Sequence, residues 1–166
     1  IVLLVNGSND NSAAIGASLA QGHPGAIKYI NFPEPGRGRA LKKYYLTSPA
    51  DILVYMDIDL AVSLDNIPAL VAPILSGEAE LVIGSRLLPE SKIARSFLRE
   101  ASSLGYNFLS RLILGHKFSD LQCGFKAVTT EAFKKLAPYL IDDKWFFDTE
   151  IITFARFFNY RFREIP

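Results

Sequence analysis

Cysteine and histidine are scarce in this sequence of 166 residues, with one Cys and two His. The single thiol, Cys123, excludes an internal disulfide, and a zinc site built on cysteines is not expected. No apolar run approaches the roughly 18 residues that a membrane-spanning helix needs. An excess of one charge is also absent, because 18 Lys and Arg oppose 17 Asp and Glu. The overall charge therefore gives no reason to expect nucleic acid as a partner.

The composition is that of a folded domain, with 49% hydrophobic and 21% charged residues. The length suits a single domain over 1–166 with a substantial core. The chain opens inside a predicted strand at 1–5 and stops at another at 160–165. We therefore expect it to be a portion of a longer chain.

Apolar segments of strand length alternate with helical segments through the first half of the chain. Predicted strands cover 1–5, 26–30, 51–56 and 80–84, and predicted helices cover 12–21, 39–47 and 66–76. Such alternation is typical of βαβ units and indicates an α/β fold with a mainly parallel central sheet. The second half is predicted to contain helices over 93–114, 130–137 and 145–158, an extended stretch over 125–128 and a closing strand over 160–165.

The stretch 50–60 is the one around which the other motifs are arranged. Residues 52–56 form an unbroken apolar run, which indicates a strand covered on both faces. Asp57 and Asp59 follow at its carboxyl end, where open parallel sheets bind ligands. Converging carboxylates repel each other unless a cation lies between them, and Mg²⁺ prefers oxygen ligands. The spacing fits equally well an Asp59 that caps the next helix and an Asp57 that is solvated.

Two loops offer candidate contacts to a nucleotide. Those of the first loop are Asn6, Gly7, Ser8 and Asp10. They could contact a base or ribose, although an ordinary turn explains this loop better. The second loop is Gly-Arg-Gly-Arg at 36–39, where Arg37 lies at the predicted start of a helix. Guanidinium groups and helix amides suit a phosphate there, and a solvated basic turn fits about as well.

Basic residues form a second group of candidates. Arg86 follows the fourth predicted strand, and Arg95, Arg99 and Ser103 recur at helical spacing on the predicted helix 93–114. Together they could form a site for an anion. A solvent-exposed basic face is the slightly favoured alternative.

The segment 145–150, Trp-Phe-Phe-Asp-Thr-Glu, combines large aromatic side chains with two acids. Asp148 within it could act as a base or orient a substrate hydroxyl. It could equally provide a negative charge at a helix N-terminus.

Taken in order, these motifs resemble those of the family 2 glycosyltransferases of GT-A fold. The resemblance is strongest to the polyprenyl-phosphate (dolichyl-phosphate) hexosyltransferases, which make a lipid-linked mannose or glucose. The matching segments are 4–12 (family VDDGSTDGT), 36–38 (GKG), 57–60 (DADL), 84–86 (GSR), 120–126 (DTQCGFK) and 145–150 (W-x-FD-x-E). Arg99, Ser103, Asn107 and Arg111 fall where the family's long helix carries R, S, N and R. The sequence departs from the family at Val5 and Asn6, which replace two acids, and at Ala61, where mannosyl members often have Gln.

The resemblance implies a Rossmann-like three-layer sandwich whose first strand would precede residue 1 and whose C-terminal end is lacking. It implies inverting transfer of a hexose from a nucleotide sugar, of the UDP-glucose or GDP-mannose type, to a polyprenyl phosphate. The implied location is cytoplasmic, at the cytoplasmic face of a membrane, with the membrane surface as a partner.

The resemblance also assigns roles to residues. Asp57 and Asp59 would hold Mg²⁺ or Mn²⁺. The nucleotide sugar would be bound by Asn6, Gly7, Ser8, Asp10, Arg37 and Asp57. The acceptor phosphate would be bound by Arg86, Arg99 and Ser103. The catalytic set would be Asp57, Asp59, Arg86, Arg99 and Asp148.

Three other interpretations stay open. A family 2 enzyme could use a saccharide or protein hydroxyl as acceptor, which requires a base, and Asp148 would be the candidate. A nucleotidyltransferase of related α/β build would release pyrophosphate. A degenerate module could bind a nucleotide sugar without catalysis.

Overall fold

The computed structural model of this chain describes residues 1–59, 62–88, 105, 110 and 118–166. The strands are β1 Val2–Asn6, β2 Lys28–Phe32, β3 Ile52–Met56, β4 Leu81–Gly84, β5 Phe125–Thr129 and β6 Phe162–Ile165. The helices are α1 Ser12–Gly22, α2 Arg37–Thr47, α3 Ile67–Leu75, α4 Thr130–Leu136 and α5 Phe147–Phe157. All but two residues of the predicted helix 93–114 lie outside the described residues. No helix within the described ranges has the length and apolar character needed to cross a bilayer.

The strands form two sheets, and the larger one is mixed. β1 and β2 pair in parallel, while the four-stranded sheet has the order β3-β5-β4-β6. β5 runs antiparallel to both β3 and β4, and β6 runs parallel to β4. The predicted α/β architecture is confirmed. The antiparallel strand was not anticipated, because a hydrophobic pattern does not indicate the direction of a strand.

Side-chain alternation along β3 divides the core into two layers. Leu53 and Tyr55 pack on one face of the sheet in a cluster with residues of α2, α4 and α5. Val54 lies on the other face, against a cluster that contains Leu70 of α3. The apolar run 52–56 is therefore covered on both faces, as predicted. Helices on both faces of the larger sheet give the three layers of the sandwich.

The N-termini of α2 and α5 meet in close contact, and this contact positions the candidate site. A Cβ atom added at Gly38 would lie 2.7 Å from Cβ of Phe147 and 2.9 Å from the carbonyl oxygen of Asp142. Phe147, the first residue of α5, is fully buried. Only a residue without a side chain allows α2 to approach α5 this closely.

We expect Gly38→Ala to lower stability by about 1–3 kcal/mol, because overpacking forces the two helices apart. Urea unfolding followed by circular dichroism measures this change. Gly22→Ala is the matched control, since an added Cβ at the end of α1 meets no atom within 4 Å. Equal unfolding midpoints for the two variants would contradict the proposed helix contact.

Candidate active site

The carboxyl edge of the four-stranded sheet brings predicted site residues together. Because β3 and β4 both run antiparallel to β5, they end at the same edge, where β5 begins. Asp57 directly follows β3, and Arg86 follows β4 by two residues. The backbone amide of Asp57 donates to the carbonyl oxygen of Gly124 at 3.1 Å, which continues the β3–β5 pairing. The acidic and basic parts of the predicted site therefore share one edge.

A buried carboxylate, Asp148, lies behind Asp57. Its side chain is 3% exposed, and its Oδ2 accepts a hydrogen bond from Nη1 of Arg37 at 2.5 Å. Its Oδ1 accepts from Nζ of Lys126 at 2.7 Å and from the hydroxyl of Tyr55. Arg37 also donates its Nε to Oδ1 of Asp57 at 2.9 Å. The four charged groups thus alternate in sign from the half-exposed Asp57 to the fully buried Lys126.

Aromatic rings enclose the Arg37 guanidinium. Its Cζ lies 5.1 Å from the ring centroid of Tyr55 and 5.4 Å from that of Trp145. A cation over an aromatic face gains electrostatic energy from the ring quadrupole. Within the described residues, Nη2 of Arg37 is buried and has no hydrogen-bond partner. Arg37 is therefore held by two carboxylates and two rings.

The charges around Asp148 keep it ionised. Burial by itself raises the pKa of this carboxyl, but the positive charges of Lys126 and Arg37 lower it, and the net direction is below the ordinary value. Both oxygens are occupied by donors. An ionised and almost unexposed carboxylate is poorly placed to take a proton from a substrate. Of the roles considered for Asp148, the geometry therefore disfavours that of a base.

Arg86 is held by a second buried carboxylate. Its Nε and Nη2 donate to the two oxygens of Asp120 at 2.5 and 2.9 Å, a bidentate arrangement. Burial lowers the pKa of Arg86, but Asp120 and, to a smaller extent, Asp57 raise it, and the net direction is upward. The side chain of Arg86 is 26% exposed, whereas that of Asp120 is 1% exposed. Arg86 thus presents a fixed, partly exposed positive charge at the same sheet edge as Asp57.

The predicted nucleotide loop uses part of its polar groups internally. Oδ1 of Asn6 accepts from the amide of Gly36 at 3.1 Å, and Oδ1 of Asp10 accepts from the amide of Ser12 at 2.9 Å. Gly7 has a φ of +59°, and a Cβ there would clash with Pro35. The contacts of Asn6 and Gly7 join the loop after β1 to the loop before α2. Ser8 is exposed.

Two backbone amides of the candidate phosphate site at the start of α2 already have partners. The amides of Gly38 and Arg39 donate to the carbonyl oxygens of Lys144 and Asp143, at 3.2 and 3.0 Å. The Arg39 guanidinium is paired with Glu34 and Asp143. The amides of Gly38 and Arg39 are therefore already satisfied by the segment before α5. Of the two arginines in this motif, Arg37 is the one directed toward Asp57.

The oxygen ligands at the edge fit a divalent cation. Asp57 has a side chain that is 40% exposed, and Asp59 is exposed. Within the described part of the chain, no group of three or more His, Cys, Asp or Glu could by itself hold a metal ion. Mg²⁺ commonly binds through one or two carboxylates together with substrate phosphates. The two aspartates suit a cation that arrives with a diphosphate. Arg99 and Ser103, which were predicted to bind the acceptor phosphate, lie outside the described residues.

Comparison with known proteins places the chain in a family. Residues 1–137 match the profile described as glycosyl transferase family 2. The chain belongs to glycosyltransferase family 2. This family 2 chain is 35% identical over 166 residues to glycosyltransferase AglD of Haloferax volcanii, a match that covers 100% of the chain and 27% of that protein. It is 32% identical over 173 residues to a dolichyl-phosphate beta-glucosyltransferase of Trichomonas vaginalis, covering 100% of the chain and 51% of that enzyme.

A solved structure supports the GT-A fold of this family 2 chain. Glucosyl-3-phosphoglycerate synthase from Mycobacterium tuberculosis, crystallised with Mn²⁺, UDP-glucose and phosphoglyceric acid, superposes with a TM-score of 0.67 at 20% identity. The superposition covers 98% of this chain and 56% of that one. The predicted fold class is therefore confirmed. The chain spans about half the length of the dolichyl-phosphate glucosyltransferases that it matches, and a smaller share of AglD.

Three residues of the site were not singled out from the sequence. Lys126 and Asp120 stand at the two ends of the 120–126 motif, which was valued only as a family match. Tyr55 lies inside the apolar run of β3, where no pattern distinguishes it from its neighbours. The signal that could have found Lys126 is a lysine inside an otherwise apolar strand, since lysine is almost never fully buried without a partner.

We expect Asp148→Asn to lower stability at neutral pH by about 3 kcal/mol or more, because Lys126 is left buried without its carboxylate. The folded-state pKa of Asp148 is depressed, so its ionisation stabilises the fold above the ordinary value of 3.8 and this contribution is lost as pH falls through the folded pKa. The stability difference between wild type and variant should therefore shrink in acid. Urea unfolding at several pH values measures it.

The matched control is Glu131→Gln, which removes an exposed carboxylate paired with Lys135. It should leave stability essentially unchanged at all pH values. A difference between wild type and Asp148→Asn that stays constant from neutral pH into acid would show that the charge of Asp148 is not what stabilises the fold.

Proposed function

We propose that this chain transfers glucose from a nucleotide-diphosphate sugar to a polyprenyl phosphate, with inversion at the anomeric carbon and with a divalent cation. Family membership and the named glucosyltransferase relatives support the reaction class. The observation that carries the proposal is the common sheet edge at which Asp57 follows β3 and Arg86 follows β4. In this proposal, the negative charge of Asp57 holds the cation with its diphosphate. The positive charge of Arg86, at the same edge, holds the anionic acceptor.

The donor side of the proposed reaction is formed by Asp57 and Asp59. Their carboxylates would hold Mg²⁺ or Mn²⁺, which when bound neutralises charge that develops on the departing nucleoside diphosphate. The residues proposed to contact the nucleotide sugar are Asn6, Gly7, Ser8, Asp10 and Arg37. Of these, Arg37 has a buried nitrogen with no partner among the described residues and could donate to a diphosphate oxygen.

The acceptor side is formed by Arg86, to which we add Arg99 and Ser103 from the motif resemblance. Asp120 fixes the orientation of Arg86, and part of the Arg86 side chain remains exposed. A phosphate monoester is largely ionised at neutral pH. Its oxygen can therefore attack the anomeric carbon without a general base.

The environment of Asp148 favours this phosphate acceptor over a hydroxyl acceptor. A hydroxyl nucleophile requires a base within hydrogen-bond reach of its proton. Asp148 was the candidate, and its oxygens are taken up by Arg37, Lys126 and Tyr55. We assign Asp148 a positioning role instead. Because the acceptor is a lipid, we further propose that the protein acts at the cytoplasmic surface of a membrane.

The acceptor class is tested with the purified full-length protein, Mn²⁺, and either UDP-glucose or GDP-mannose. We expect glucose transfer from UDP-glucose to a short polyprenyl phosphate, and a β-linked product by NMR. The matched control acceptor is the polyprenol of the same length without phosphate, which should not react. Transfer to polyprenol or to a saccharide would contradict the proposal, and nucleotide-sugar binding without any transfer would favour a non-catalytic module.

We expect Asp59→Asn to reduce turnover by about 100-fold or more, because the variant loses an anionic ligand for the charge-neutralising cation. The measurement is the dependence of the rate on Mn²⁺ concentration. Asp51→Asn is the matched control: this exposed aspartate lies at the opposite end of β3, and its removal changes the net charge equally. Wild-type rates for Asp59→Asn would remove the metal role from this residue.

A further inference from the structure

Lys126 is an unusual residue for the interior of a sheet. Its side chain on β5 is 0% exposed, and Nζ donates to Oδ1 of Asp148 at 2.7 Å and to the carbonyl oxygen of Cys123 at 2.5 Å. Removing an ammonium group from water is costly even when it is paired. Apolar residues in place of a buried ion pair often leave stability unchanged or improve it. Stability alone is therefore a weak reason for a lysine at this position.

Lys126 is the inner end of an ion-pair chain, Lys126–Asp148–Arg37–Asp57. Every link is a hydrogen bond, with distances of 2.7, 2.5 and 2.9 Å from the inside outward. The two cations and two carboxylates sum to zero charge. Only Asp57, at the outer end, is substantially exposed.

The sharing of Arg37 between two carboxylates depends on Lys126. Asp148 receives one cation from each side, so Arg37 can give its Nε to Asp57 while Nη1 binds Asp148. Without Lys126, the buried charge of Asp148 would be balanced by Arg37 alone. In a low-dielectric interior this attraction is strong, and it would draw Arg37 away from the half-exposed Asp57.

The position of Arg37 also affects any cation that binds Asp57. Arg37 occupies Oδ1 of that carboxylate, and its positive charge repels a second cation nearby. A diphosphate supplies negative charge that can offset Arg37 and ligate the cation at the same time. Asp57 is thus suited to a cation that comes with a diphosphate rather than to a free one.

We propose that Lys126 is a positioning residue that acts through Asp148 to hold Arg37 on Asp57, and that this arrangement makes cation binding at Asp57 depend on the diphosphate. The proposal rests on the proposed function, in which Asp57 faces a divalent cation. It adds a role for Lys126, a residue that touches neither substrate nor cation.

The test is the affinity of the full-length protein for Mn²⁺ alone, measured by electron paramagnetic resonance of free Mn²⁺ without nucleotide. We expect Lys126→Met to bind Mn²⁺ about tenfold more tightly than wild type, because Arg37 moves away from Asp57 and repels the cation less. Lys135→Met is the matched control, since it removes the same charge from an exposed lysine. If Lys126→Met and Lys135→Met bind Mn²⁺ equally, Lys126 has only a structural role and the proposal is wrong.

If Lys126→Met fails to fold, two further variants test whether Lys126 acts on Arg37 through Asp148. In Lys126→Met/Asp148→Asn, the charge that would withdraw Arg37 is removed, so Mn²⁺ affinity should return to within about twofold of wild type. Arg37→Met removes the repelling charge directly and should tighten Mn²⁺ binding by about tenfold or more. The proposal is wrong if the double variant binds Mn²⁺ more tightly than wild type, or if Arg37→Met binds Mn²⁺ as wild type does.

Wild-type protein with Mn²⁺ and UDP, or Mn²⁺ and GDP, separates this inference from the proposed function. We expect at least one nucleotide to strengthen Mn²⁺ binding by about tenfold or more. If neither does, both the metal role and this inference fail. If the nucleotide strengthens binding but the Lys126 and Arg37 variants behave as wild type, only the inference about Lys126 fails.

Discussion

The carboxylate of Asp148 makes the contact on which the rest of this structure depends. It lies in the first turn of α5 and accepts hydrogen bonds from α2, β3 and β5, through Arg37, Tyr55 and Lys126. Four elements are thus joined at one side chain. Burying a charged group is costly, and here the cost is offset by two cations and by the helix N-terminus, which favours negative charge. The same contact places Arg37 against Asp57 at the edge of the sheet.

At this edge of the sheet, Arg37 and Arg86 are each held in place by a buried carboxylate. Arg37 is anchored by Asp148 and Arg86 by Asp120, and both carboxylates are nearly unexposed. A charge held in place before a ligand arrives needs little reorganisation when the ligand binds. The cleft therefore consists of partly exposed charges that are fixed by buried ones. This organisation suits the proposed reaction, in which charge would move onto a departing diphosphate and away from an attacking phosphate.

The antiparallel strand β5 explains how these parts come together. Its amino end lies at the carboxyl ends of β3 and β4, so the loop 118–124 enters the cleft beside Asp57. The approach is close, because a Cβ added at Gly124 would lie 1.9 Å from Oδ2 of Asp57. A parallel strand at this position would have delivered the loop to the opposite edge. The mixed sheet is thus part of the site and not only of the scaffold.

The sequence by itself determined the α/β class and the apolar strand β3, which Asp57 directly follows. These features follow from hydrophobic period, turn residues and motif spacing, which are local properties of the chain. Tertiary structure alone decided the direction of β5, the burial of Lys126 and the pairing of Asp148 with Arg37 and Lys126. The reason is that the deciding contacts join distant residues: Arg37 and Asp148 are separated by 111 positions, and Lys126 and Asp148 by 22. No local pattern in the sequence shows which carboxylate a basic side chain will contact in the folded protein.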